Sequence, residues 1–168
     1  MIAESERDID EMVAQINHLI ESEEKNREDF EESQEMFKKL RKDLLAHSYA
    51  FGPAEKKLEN RLIEAEQQFI AFEQETENGN YLTAREIILA VKKELEDIGN
   101  KMESIPLLLN ECQQKIPAQI KEIRLGIDEM VTEKYYLAHL ELDAKLDRIE
   151  NHLEAYLDFI KNLQVEEV

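Results

Sequence analysis

The chain has 168 residues, enough for one ordinary domain or two small ones, and 36% of them are charged. Its net charge of −18 argues against a nucleic-acid partner, whose phosphates need Lys and Arg to release counterions, and against an anionic membrane surface. Gly (4) and Pro (3) are scarce, Trp is absent, and helix formers supply most of the sequence, a composition that disfavours sheets and points to long helices.

The first predicted helix covers residues 3–47. Ile9, Met12, Ile16 and Leu19, then Phe30, Phe37, Leu40 and Leu44, recur in alternating steps of three and four. That spacing is the seam of a helix packed along its length. Glu23 and Asn26 occupy seam positions inside ESEEKNRED, and the polar stretch reads as the end of one bundle core and the start of another. Phe51-Gly52-Pro53 stops the helix, with Phe51 expected to plug the bundle end and Pro53 suited to the next first turn.

The second predicted helix spans residues 53–77, with Leu58, Leu62, Ala65, Phe69, Phe72 and Thr76 on one stripe. Asn78-Gly79-Asn80 closes it, since Gly and Asn tolerate the left-handed conformation that ends helices. A third, over residues 81–115, has a regular seam: Ala84, Ile88, Val91, Leu95, Ile98, Met102, Ile105, Leu109, Cys112 and Ile116. Pro106 is expected to kink or restart this helix, and Pro117 to end it. A fourth covers residues 118–132 with Ile120, Ile123, Ile127 and Met130. After a break near Lys134-Tyr135-Tyr136, a fifth runs to about residue 164 along Leu142, Leu146, Ile149, Leu153, Tyr156, Ile160 and Leu163.

The lengths fix the architecture. At about 1.5 Å per residue the first helix is roughly 68 Å long and the second roughly 38 Å. Folding the second back on the first brings Gly79 opposite the early twenties, where the polar stretch lies. The expected fold is therefore all-α: elongated antiparallel three-helix bundles of spectrin type that share long helices. Residues 1–24 are the end of a preceding repeat, 25–105 a complete repeat, and 106–168 a following, partial one. The corner Gly79-Asn80-Tyr81 with Ala84 also begins tetratricopeptide hairpins, but those repeats are about 34 residues with two short helices, and these helices are far too long.

Chemistry is sparse. A di-iron bundle needs inward-facing Glu-x-x-His pairs, and none of His18, His47, His139 and His152 follows a Glu by three residues. His139 and Asp143 are four apart, a weak metal pair at best. Cys112 lies in a seam, so it reads as a small buried hydrophobe, and a single cysteine allows no internal disulfide. Tyr135-Tyr136 is the main aromatic cluster, with one ring expected to pack into the helix corner. Glycine-rich phosphate loops and nucleophile elbows are not found. No catalytic, cofactor-binding or metal residue is assigned, no cofactor is expected, and the chain does not read as an enzyme. No apolar run approaches the roughly 18 residues needed to cross a bilayer, and MIAESERDID does not resemble a signal peptide, so a cytoplasmic location is expected.

The ordered features Gly79-x-Tyr81 with Ala84 and Arg85, Ile105-Pro106-Leu107-Leu108, Pro117, Gly126, Met130, and Tyr135-Tyr136-Leu137 before His139 resemble the cytoplasmic region of the EzrA septation ring regulators of Gram-positive bacteria. The resemblance implies spectrin-like repeats, restraint of the tubulin-like division GTPase FtsZ, contact with cell-wall synthesis proteins, and a scaffold joining the division ring to the membrane. It also implies a parent protein several times longer with a transmembrane anchor, which this chain lacks. The family's Gln-Asn-Arg patch has no match here, so no functional residue is carried over. Two alternatives stand beside it: a helical ligand-binding or adaptor module, suggested by the polar stretch 21–29, and self-association through the first helix, whose leading half has no visible partner.

Overall fold

Leu, Ile, Ala, Glu and Lys at helical spacing produce helices throughout the computed structural model, which describes the backbone of residues 2–168 and the side chains of residues 9–166 and Val168. The order is α1 (Ile2–Ala46), α2 (Ser48–Phe51), α3 (Glu55–Glu77), α4 (Tyr81–Asn110), α5 (Ile116–Thr132) and α6 (Leu142–Lys161). Short 3-10 turns lie at Gly52–Ala54, Ala138–Leu140 and Val165–Glu167, a π turn lies at Glu111–Lys115, and no strand occurs among the described residues. The fold is an all-α helical bundle. It divides into two compact units, one of Met1–Asp43 with Glu59–Gly99 and one of Leu44–Leu58 with Asn100–Val168.

In the first unit α1, α3 and α4 contact one another pairwise. Phe30 stacks on Phe72 at 4.8 Å between centroids and meets Phe69 edge-on, while Phe37 meets Phe69 and Arg41 reaches Glu66. As α1 advances its partners on α3 retreat, so those two helices are antiparallel. Asn26 pairs with Tyr81, Asp29 with Arg85, and Glu32 with Lys92, so α1 and α4 run parallel. The buried side chains are the expected seam: Phe37, Leu40, Leu62, Ala65, Phe69, Phe72, Ala84, Ile88, Val91, Leu95 and Ile98.

Two polar residues complete that seam. Asn26 is 2% exposed and Ser33 is fully buried. With Phe30, Phe37, Leu40 and Leu44 they hold an unbroken three–four rhythm, so the α1 seam does not stop at Asn26 as the sequence reading expected. The Asn26 amide donates to the Tyr81 carbonyl at 2.9 Å, tying α1 to the first turn of α4. Asn26 Oδ1 and Ser33 Oγ are buried without a hydrogen-bond partner.

In the second unit the core gathers Leu44, Phe51, Ala54, Leu58, Met102, Ile105, Leu109, Cys112, Ile120, Leu146, Leu153 and Ile160. Phe51 is buried as expected. Gly52 has φ +48°, a left-handed conformation that suits glycine, and a Cβ there would sit 3.4 Å from Leu109. Pro53 lies in a 3-10 turn, so α3 begins at Glu55 rather than at Pro53. α6 packs on this turn, on the π turn and on α5, burying Leu146, Leu153 and Ile160 at seven-residue intervals.

Pro117 acts differently from expectation, and of the two outcomes expected at Pro106 the restart does not occur. α4 continues from Tyr81 to Asn110 with Pro106 inside it and is not restarted there. Pro117 does not end the helical path either. One extra residue is inserted at Glu111–Lys115, where the Ile116 N–H reaches Glu111 O, and Pro117 falls in the first turn of α5, where its missing donor matters least. The inserted residue shifts the buried face from Cys112 to Ile120.

A candidate interaction surface

α3, α5 and α6 end in the same way. At each, the residue after the cap is left-handed and its N–H and the following N–H return to the last turn. Gly79 (φ +78°) does this after α3, Lys134 (φ +70°) after α5 and Leu163 (φ +61°) after α6. After α5 the bonds are Lys134 N–H to Val131 O and Tyr135 N–H to Met130 O, at 3.0 and 2.9 Å. Glu141, immediately before α6, is left-handed as well (φ +49°). The segment between α5 and α6 is thus bounded by two left-handed residues that are not glycine, a conformation costing roughly 1–3 kcal/mol at each.

This segment holds the aromatic cluster out in solvent. Tyr135 is 58% and Tyr136 78% exposed, so neither ring packs into the corner; Tyr136 stacks instead beside His139. Beside it in the chain lies a groove of about 450 Å³, walled by Ile127, Val131, Leu137 and Leu142 with the acidic residues Glu141 and Asp143. Arg124 binds Asp147 at 2.7 Å and Glu150 at 3.0 Å, with Asp143 at 3.8 Å, which fixes α5 against α6. Asp147 and Glu150 hold the Arg124 guanidinium above its ordinary range, the Asp147 hydrogen bond contributing most.

His139 and Asp143 do not form an i, i+4 pair on one helix. His139 is in the 3-10 turn, left-handed Glu141 intervenes, and Asp143 opens α6 towards Arg124. Among the described residues no three His, Cys, Asp or Glu side chains converge as a metal site. Cys112 is buried, and burial, with Glu111 nearby, pushes its thiol up.

A second exposed apolar surface lies on α1, where Ile9, Met12, Val13, Ile16, Leu19 and Ile20 are each 40–57% exposed. The sequence showed most of this stripe; Val13 and Ile20 widen it. Beyond it the polar surface is structural. Asp29 accepts from Arg85 and from Lys92 (3.1 Å), and Lys92 also reaches Glu32 (2.6 Å). Burial alone would raise the Asp29 carboxyl, but the Lys92 and Arg85 hydrogen bonds outweigh it and hold it below the usual carboxylate range. On α3, Arg61 forks to Glu94 (2.6 Å) and Asp97 (2.7 Å), whose bonds raise its guanidinium, Glu94 most. No helix of the described residues is long and apolar enough to cross a membrane.

Comparison with known proteins converges on one family. The family model described as "Septation ring formation regulator, EzrA" matches residues 1–168. The EzrA protein of Geobacillus sp. (strain WCH70) is 41% identical over 167 residues, covering 99% of this chain and 30% of the relative. That of Bacillus licheniformis is 33% identical over 168 residues, with 99% and 30% covered. That of Listeria monocytogenes serotype 4b (strain CLIP80459) is 32% identical over 167 residues, with 99% and 29% covered. No solved structure matches significantly. The chain spans about 30% of the length of these curated relatives, and with its whole length matched it belongs to the EzrA family of septation ring formation regulators.

Proposed function

We propose that this chain is a non-enzymatic scaffold segment of a cell-division regulator that restrains FtsZ ring assembly and links the ring to the membrane. The observation that carries the reading is the family match along all 168 residues. It is supported by the architecture, since a helical bundle with exposed apolar faces on α1 and at the α5–α6 corner suits protein partners. Those partners are FtsZ and division or cell-wall synthesis proteins, met in the cytoplasm, with weak self-association also available to the α1 stripe. The membrane link belongs to the parent protein's transmembrane anchor rather than to this segment.

Within this reading, residues 25–105 form one spectrin-like repeat, 1–24 the end of its predecessor and 106–168 part of its successor. The exposed α1 stripe is then the face that the preceding repeat covers. An adaptor role remains as a second reading, favoured by the groove beside Leu137 and Leu142.

The test is co-sedimentation of FtsZ polymers with this segment. Co-pelleting, or a loss of polymer, places a contact within these residues. If the full cytoplasmic region acts and this segment does not, the segment is a spacer; if neither acts, the division reading fails.

A further inference from the structure

The groove at the α5–α6 corner has a chemistry that the scaffold reading does not specify. Ile127, Val131, Leu137 and Leu142 give it an apolar lining that is open to solvent, and the exposed acidic residues Glu141 and Asp143 belong to the same lining. Exposed Tyr135 and Tyr136 stand on the adjoining segment. Over residues 127–145 there are five acidic side chains, Asp128, Glu129, Glu133, Glu141 and Asp143, against Lys134 and Lys145. Arg124 on α5 is engaged by Asp147 and Glu150 and lies 3.8 Å from Asp143, whose side chain is still 77% exposed and open to a second cation. An acidic occupant would meet repulsion here, and a purely polar one would leave the apolar lining wet.

We propose that this groove docks a partner-protein segment carrying an apolar side chain flanked by Lys or Arg. The apolar side chain fills the space between α5 and the start of α6, and the cations sit against Glu141 and Asp143. Tyrosine suits the margin of such a site, because its ring covers apolar surface and its face attracts a cation. The left-handed backbone at Lys134 and Glu141 sets the shape of the segment that presents the rings. The inference rests on the chain being a protein-binding module but not on FtsZ being the partner.

The probe is a short peptide of leucine and lysine in helical alternation, titrated into the whole 168-residue chain and followed by heteronuclear NMR. Two control peptides replace lysine by glutamate and leucine by serine. The leucine–lysine peptide should bind saturably and shift resonances of residues 127–144, and both controls should bind at least tenfold more weakly. Two variants target the groove: Glu141→Lys with Asp143→Lys reverses its charge, and Ala138→Phe fills it without adding charge. Each should weaken binding at least tenfold. Glu73→Lys with Glu77→Lys, on the exposed face of α3, should change it less than twofold. Circular dichroism checks that every variant folds, and the charge pair decides the matter if Ala138→Phe does not. Equal weakening by the α3 pair, or unchanged binding by the charge-reversed groove, would overturn the proposal, because the peptide would then be sensing only the net charge. Saturable binding with no FtsZ co-sedimentation keeps this inference and removes the division contact; the reverse result removes this inference alone.

Discussion

The two units have the same length of chain and different packing. In the first, α1, α3 and α4 interlock through three phenylalanine contacts and two ion-pair forks, and α4 buries a seam residue at every step from Ala84 to Ile98. In the second, α5 buries only Ile120 fully and leaves Ile123, Leu125, Met130 and Val131 more than 40% exposed. Charge divides along the same line. The first unit has 24 Asp and Glu against 11 Lys and Arg, and the second has 15 against 10. Where the first unit's seam is regular, a charged coat makes a stable strut; exposed apolar side chains, at the strained α5–α6 corner as on the leading half of α1, are what a docking surface requires. The comparison teaches that binding capacity here belongs where packing is thinnest, because side chains spent on a seam are not available to a partner.

The largest effect that could break this contrast concerns the aromatic cluster. Phe69→Ala removes the ring that both Phe30 and Phe37 touch and should cost about 4 kcal/mol in urea unfolding. Leu95→Ala and Ile98→Ala should each cost on the order of 2–5 kcal/mol, while Ile123→Ala on half-exposed α5 should cost less than about 1 kcal/mol. Comparable losses at Ile98 and Ile123 would abolish the distinction between the units. Asn26→Ala should cost about 1 kcal/mol, since it removes the buried amide's bond to the Tyr81 carbonyl.

Smaller effects sharpen the picture at the helix ends. Lys134→Gly and Leu163→Gly should each raise stability by about 1 kcal/mol by relieving left-handed backbone, and Gly79→Ala should lower it by a similar amount. The smallest effect is electrostatic. The Asp29 carboxyl is held below its unfolded range, so its contribution is present above that range and fades as pH falls through the folded value. Stability of the wild type should therefore fall more steeply than that of Asp29→Asn as the pH drops below about 4. Parallel acid limbs in the two proteins would show that Arg85 and Lys92 contribute nothing there.

Much of this was legible in the chain. The seams of α3 and α4 are apolar at nearly every third or fourth residue, so burial followed directly from periodicity. Gly79 announced its turn because glycine is the usual occupant of a left-handed cap. The other two caps were hidden, since Lys134 and Leu163 hold the same conformation with ordinary side chains and only the backbone bonds reveal it. Asn26 and Ser33 were read as, or passed over in, a gap in the seam, because a pattern search counts apolar residues and cannot see that a polar one is buried. Pro117 looked like a terminator, and the π turn that accommodates it leaves no signature in residue type. The candidate groove was the least visible, because its walls come from α5, the turn and α6 at irregular spacing, and one of the two tyrosines beside it was expected to pack inward.

Native-state hydrogen exchange compares the units most directly, because α4 and α5 are both helical and differ mainly in what they bury. Amides between Ala84 and Ile98 should exchange at least a hundredfold more slowly than those between Ile120 and Val131, the difference following buried contact rather than helicity. Equal protection of the two stretches would contradict the account, since the α5–α6 corner would then be as firmly packed as the first unit and no freer to receive a partner.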